Sequence, residues 1–222
     1  MRVVIAGGHG QVALHLTGQL AGSGDEPVGL IRNPGHAADI EAAGGAAIVA
    51  DLEEIGADAL AGHVSGADAV VFAAGAGPGS GAARKRTVDL GGAIRLIEAA
   101  RQSGVRRYLM VSAINADAFD PDSPDVFQVY LRAKSEADRA LRESGLDWTV
   151  VRPGRLTDDE PTGRVQAGPD VARAEIPRAD VAGVLAACLR RPGTIGAQFA
   201  VVSGEVPIET AVERIAERVD RA

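Results

Sequence analysis

Six short apolar runs divide the first 153 residues: RVVIA (2–6), PVGLIR (27–32), AAIVA (46–50), DAVVFAA (68–74), RYLMVSA (107–113) and DWTVVRP (147–153). None sustains a polar/apolar alternation, which is how strands buried on both faces read. Amphipathic segments separate them. In GAIRLIEAARQSG (92–104), for example, Ile94, Leu96, Ile97 and Ala100 follow helical spacing and Gly104 supplies a stop. Right-handed crossovers through helices make successive strands parallel neighbours, so the alternation calls for a parallel sheet covered on both faces. The expected fold class is α/β, a doubly wound parallel sheet. Beyond Pro153 the pattern loosens. LTDDEPTGRVQAGPD (156–170) reads as turn-rich, IPRADVAGVLAACLRR (176–191) as a helix, QFAVVSG (198–204) as a strand and PIETAVERIAERVDR (207–221) as a terminal helix. This tail is too small for a core of its own. Residues 1–222 are therefore expected to form a single domain, with 153–222 a small C-terminal elaboration on the substrate side.

The first run enters GGHGQVA directly and then a helical segment, so Gly7, Gly8 and Gly10 sit at a strand-to-helix turn. That is the place of the phosphate-binding loop in a Rossmann unit. It can be read as Gly7-x-x-Gly10-x-x-Ala13 or as Gly8-x-Gly10-x-x-Ala13. Gly7 would make the tight turn, Gly10 would admit the pyrophosphate, and Gln11 and Val12 would open the helix whose positive end faces it. About twenty residues past such a loop an acidic side chain would bind the ribose of NAD. Here Arg32 and Asn33 stand there, and an arginine suits a 2′-phosphate, so NADP is preferred over NAD. A solvated arginine at a strand end is the alternative.

Composition narrows the partners. A net charge of −7 argues against a general nucleic-acid surface, and no run of 18 apolar residues is present for a membrane span. Cys188, in an apolar context, excludes an internal disulfide and fits a buried thiol in a reducing, cytoplasmic setting. His9, His15, His36 and His63 show no metal-ligand spacing, and no metal is expected. Of 23 basic residues, two are lysines, Lys85 and Lys134. Lys134 follows Tyr130 by four positions, one turn along the same helix face.

GGHGQVA, Arg32, Asp51-Leu52, Ala73-Ala74-Gly75, Ser112, Tyr130-x-x-x-Lys134 and Arg152-Pro153-Gly154 stand in the order found in the short-chain dehydrogenase/reductase superfamily. The chain resembles its atypical NAD(P)-binding branch, close to the epimerase/dehydratase-like proteins. The resemblance implies adenine contact at Asp51 and Leu52, ribose and pyrophosphate contact along Ala73, Ala74 and Gly75, and nicotinamide contact by Pro153, Gly154 and Leu156. It places the catalytic set on Ser112, Tyr130 and Lys134, with Asp89 where asparagine is usual. Ser112 would bond the substrate carbonyl. Lys134 would bind the nicotinamide ribose and depress the Tyr130 phenol, whose ordinary pKa of about 10 is too high for easy proton exchange at neutral pH.

The reading that results is an NADP(H)-dependent oxidoreductase acting on a small carbonyl or hydroxyl substrate. An NADP-bound epimerase/dehydratase-like isomerase and a non-catalytic NADP-binding sensor are the alternatives, the latter admitted by Asp89. Loops 115–127 and 155–175 would shape the pocket, with Phe119 and Phe127 as walls and Asp117, Asp120, Asp122 and Asp125 solvated. Arg84, Lys85 and Arg86 read as a solvated helix start. Helices over 83–103 and 127–144 could pair two subunits or pack on the sheet, leaving monomer and homodimer open.

Overall fold

The computed structural model describes residues 1–77, 79–219 and 221. In chain order the elements are β1 (Arg2–Ala6), α1 (Gln11–Gly22), β2 (Glu26–Ile31), α2 (Ala37–Ala42), β3 (Ala46–Val49), α3 (Ala57–Val64), β4 (Ala69–Phe72) and α4 (Ala82–Arg84). A π-helical segment, Lys85–Gly92, runs from α4 into α5 (Ala93–Ser103), and β5 (Arg107–Val111), α6 (Val126–Arg142), β6 (Asp147–Pro153), β7 (Arg155–Thr157) and β8 (Arg164–Gly168) follow. The chain continues through β9 (Glu175–Pro177), α7 (Arg178–Arg190), β10 (Ala197–Ser203), β11 (Val206–Pro207) and α8 (Ile208–Val219).

Nine strands form one sheet in the order β11-β8-β10-β6-β5-β4-β1-β2-β3, and β7 pairs with β9 apart from it. From β3 to β6 every pairing is parallel, and β10 extends that run beside β6. The strand order reverses between β1 and β4, which opens a crevice at the carboxyl ends of those two strands. The chain is thus α/β with a Rossmann-type sheet. It is not parallel throughout, because β8 runs antiparallel to β10 and β11 antiparallel to β8. The stretch 156–170, expected as turns, holds β7 and β8. RVQAG alternates exposed Arg164 and Gln166 with buried Val165, the pattern of a strand wet on one face, rather than the unbroken apolar run of the inner strands.

Residues of one strand serve opposite faces. Val3, Ile5, Val71, Leu109 and Val151 pack toward α1, α7 and α8 through Leu16, Leu20, Val181, Leu185 and Val212. Val4, Ala6, Val70, Phe72 and Met110 pack toward α3, α5 and α6 through Leu60, Val64, Leu96 and Leu141. Each of these side chains larger than alanine, taken fully out of water, stabilises the fold by about 1.5–3 kcal/mol before entropy. Cys188 lies in the first layer with no exposed surface, and burial pushes its thiol up to about 12. No helix of the described residues is long and apolar enough to cross a membrane.

Candidate active site

The crevice at the β1/β4 switch is a cleft of ≈ 410 Å³. It gathers residues from four strand ends: Gly7 and Gly10 after β1, Arg32 and Asn33 after β2, Asp51 and Leu52 after β3, and Ala73, Ala74 and Gly75 after β4. Gly7 has φ +79°, and a Cβ there would stand 2.6 Å from the Ala74 backbone, so only glycine lets β1 turn this close to β4. Gly10 caps α1 without any side-chain bond, which leaves the first-turn N–H groups open to an anion. Gln11 is exposed in that turn, whereas Val12 is buried in the core. This cradle of backbone donors, small residues and basic groups fits a dinucleotide phosphate. Pro153, Gly154 and Leu156 lie further along, at the end of β6 and into β7, and Pro153 O accepts from Ile114 N at 3.0 Å.

Glu53 organises the basic groups at the outer end of the cleft. It accepts from Thr87 Oγ1 at 2.6 Å and from Arg84 at 2.6 Å, while Arg32 stands at 3.4 Å. The Thr87 hydroxyl and the Arg84 guanidinium hold its carboxyl below the usual range. Arg84 is therefore part of the cleft wall and not of a solvated helix start, because the π-helical turn after it carries Thr87 onto the same carboxylate. Two histidines also meet here. The His9 and His36 rings stack with centroids 3.6 Å apart, and His9 Nε2 pairs with Asp39 at 2.7 Å. Their positions in the sequence, 27 residues apart, hide this. The parallel register of Ala6 with Leu30 brings the two strand ends, and the loops leaving them, side by side.

Tyr130 and Lys134 lie on the inner face of α6. The Lys134 ammonium is buried, donates to Val111 O at 3.2 Å and Ala74 O at 3.4 Å, and pairs with Asp89 Oδ1 at 3.3 Å. It stands 5.8 Å from the Tyr130 ring centroid. Ala74 also lines the dinucleotide cleft, so this lysine joins the cleft to the tyrosine. Asp89, from the π-helical segment, uses Oδ2 to accept from Ala76 N at 3.1 Å. The expected depression of the phenol is reversed. Burial raises the Tyr130 pKa above 10.0, Lys134 lowers it, and Asp89 and Asp138 push it up again.

Ser112 also departs from expectation. At the end of β5, its hydroxyl donates to the buried Asp138 Oδ2 at 2.7 Å instead of facing the cleft as a free donor. Asp138 sits one further turn along α6 from Lys134 and also accepts from Arg152 Nε at 2.9 Å. Arg152 reaches Asp117 at 2.7 Å, and Asp117 accepts from Ser135 at 2.6 Å. Burial raises the Asp138 carboxyl, with Arg152 and Ser112 pulling the other way. Tyr130-x-x-x-Lys134-x-x-x-Asp138 is thus one continuous helix face, a spacing legible in the sequence once Lys134 had been singled out. Asp117 is an ion-pair partner and not merely a solvated loop residue.

The walls beyond Tyr130 differ from expectation. Phe127 stands 6.0 Å from the Tyr130 ring, ring centre to ring centre. Phe119 instead lines a separate hollow with Pro121, Arg132 and Arg139, because α6 turns those arginines to its other face. Lys85 lies over the Tyr130 ring, 5.3 Å from its centroid.

The profile of a family described as NAD(P)H-binding matches residues 7–192. YhfK of Bacillus subtilis, named as an uncharacterised sugar epimerase, is 35% identical over 216 residues, 97% of this chain and 100% of its own length. A Bacillus halodurans structure described as a "putative NAD-dependent epimerase/dehydratase" is 41% identical, with TM-score 0.88 and coverage of 96% of this chain and 99% of the other. The oxidoreductase YlbE of Lactococcus lactis superposes with TM-score 0.85 at 26% identity, over 98% of this chain and 97% of its own. With the strand order, the glycine turn at the switch point and these similarities in agreement, the chain belongs to the NAD(P)H-binding family and is similar to proteins described as epimerase/dehydratases.

Proposed function

We propose that the protein is an NADP(H)-dependent reductase of a small carbonyl compound, with Tyr130 as the proton donor. The observation that carries this reading is the buried Lys134 ammonium, held between the cleft residue Ala74 and the Tyr130 ring. When bound, a reduced nicotinamide supplies hydride to the carbonyl carbon. The chain's part is the proton. Tyr130, its pKa above the ordinary value, stays protonated at neutral pH and donates its O–H to the carbonyl oxygen as negative charge develops there. The phenolate left behind is stabilised by the adjacent Lys134 ammonium until solvent reprotonates it. Ser112 has committed its proton to Asp138 and offers the substrate only lone pairs, so the donor to the carbonyl is Tyr130.

Arg32 favours NADP. It is over half exposed and held by Glu53 only at 3.4 Å, free to turn onto a 2′-phosphate, with Arg84, Asn33 and His36 beside it in the cleft. The test is NADPH oxidation across a carbonyl and quinone panel, with NADPH and NADH affinities measured in parallel. Tyr130→Phe is expected to abolish turnover and keep NADPH binding; turnover that survives removes Tyr130 as the acid. Arg32→Ala is expected to weaken NADPH about tenfold or more, the worth of a charged hydrogen bond, and to leave NADH unchanged. The same Tyr130 could shuttle protons in an epimerase, as the name of the Bacillus subtilis relative invites, and NADP-retaining turnover without net oxidation would mark it.

A second reading, NADP binding without chemistry, draws on the Ser112 and Asp89 side chains, both engaged by the chain itself. Under it no substrate is turned over, and NADP changes association with a macromolecular partner.

A further inference from the structure

The chain uses lysine twice, and both ammonium groups stand against one ring: Lys134 at 5.8 Å and Lys85 at 5.3 Å from the Tyr130 centroid. Their environments differ. Lys134 is buried and paired with Asp89, whereas Lys85 is half-buried, with one bond at 2.9 Å to Gly77 O. An ammonium has three donors, so Lys85 keeps donors for something else. Arg173, from the loop between β8 and β9, lies over the adjoining ring of Phe127, 5.5 Å from the ring centroid. Among the described residues neither Lys85 nor Arg173 has a carboxylate partner, although the chain carries 30 acidic residues against 23 basic ones. The acids near them in sequence do not pair with them: Asp89 is held by Lys134, Glu175 pairs with Arg155, and Asp170 makes no ion pair with Arg173. The ring under Arg173 belongs to an exposed apolar pair. Val126 and Phe127 are 39% and 43% exposed, and they are neighbours among the few large apolar side chains that the described fold leaves in water.

We propose that Lys85 and Arg173 flank a subsite for a carboxylate, and that the substrate is a carbonyl compound with an apolar body bearing that carboxylate. The proposal rests on the reductase reading above and adds the substrate class. The apolar body covers Phe127 and Val126, the carbonyl meets the Tyr130 hydroxyl, and the carboxylate takes donors from both Lys85 and the planar fork of Arg173. The two rings, 6.0 Å apart, set the scale: one aromatic ring spans the distance. Arginine would serve less well than lysine at position 85, since a compact ammonium can bond Gly77 O, face the Tyr130 ring and still present a donor outward.

The experiment compares 4-carboxybenzaldehyde with its methyl ester, reading kcat/KM by NADPH oxidation. The expected wild-type preference for the acid is about tenfold, from two partly exposed charge contacts, and Lys85→Ala and Arg173→Ala each bring the acid-to-ester ratio toward one. Lys85→Arg should retain part of it. A wild-type ratio at or below one, or variants that lower acid and ester alike, would overturn the subsite. Calorimetric binding of 4-(hydroxymethyl)benzoate and its methyl ester to the NADP-loaded Tyr130→Phe protein separates the two claims. Binding that prefers the acid and is lost in Lys85→Ala supports the subsite even if no aldehyde is reduced. Binding without regard to charge overturns it even if turnover is found.

Discussion

Asp138 is the buried group whose removal should cost most. It has no exposed surface and accepts from Ser112 at 2.7 Å and from Arg152 Nε at 2.9 Å, with Arg152 Nη2 at 2.8 Å. Asp138→Asn keeps the shape and removes the charge. Arg152, 8% exposed, is then left with Asp117, whose side chain is 54% exposed and screened by water. Removing one partner of a buried ion pair costs about 3–5 kcal/mol, and the Asp117 contact returns part of that. The new amide adds a second cost. Its N–H groups would occupy the site of Asp138 Oδ1, which has no partner, and an orphaned buried donor costs about 1–3 kcal/mol. The expected loss is about 3 kcal/mol or more, which for a chain of this size lowers Tm by about 6–12 °C. Thermal and urea unfolding followed by circular dichroism read it. The double variant Asp138→Leu/Arg152→Met, which replaces the pair by apolar groups, should regain most of the loss. A fall of less than about 2 °C in Asp138→Asn, or a double variant no more stable than the single one, would refute the reasoning.

Three further outcomes follow from the same geometry. Gly7→Ala forces a side chain into φ +79° and a Cβ to within 2.6 Å of Ala74, so calorimetry should show a lower Tm and fluorescence titration a loss of NADPH binding. The Asp117 carboxyl is held below its ordinary 3.8 chiefly by Arg152, so its contribution to stability is complete above that value and lost as pH falls through the lower folded-state value. Asp117→Asn should flatten the dependence of Tm on pH below about 4, and an unchanged slope would exclude this group. The Cys188 thiol, fully buried and raised to about 12, should not react with a thiol reagent at pH 8 in the native protein and should react fully in denaturant.

Much of this protein could be read along the chain because its inner strands are local events. Apolar runs without alternation announce strands, and β1 through β6 lie within a few residues of those runs; β3 alone among them is not covered on both faces, because it ends the sheet and leaves Val49 54% exposed. The glycine turn was legible for a similar reason, since one backbone approach forces one residue type. Tyr130 and Lys134 share a face because helical periodicity is set within a single element. What lay outside that reach depends on groups from separate elements. Lys85 looked like one of three solvated charges until the π-helical turn set it over Tyr130. Ser112 looked like a free donor until α6 brought Asp138 to it, 26 residues away. His9 and His36 became a stack only through the register of β1 and β2. The sequence by itself determined the Rossmann sheet, the phosphate turn and the tyrosine-lysine face, all consequences of short-range sterics and periodic burial. The tertiary structure decided which charges are spent on one another and which remain free, because Coulomb energy and desolvation depend on distance and burial across the whole fold and leave no periodic mark in the chain.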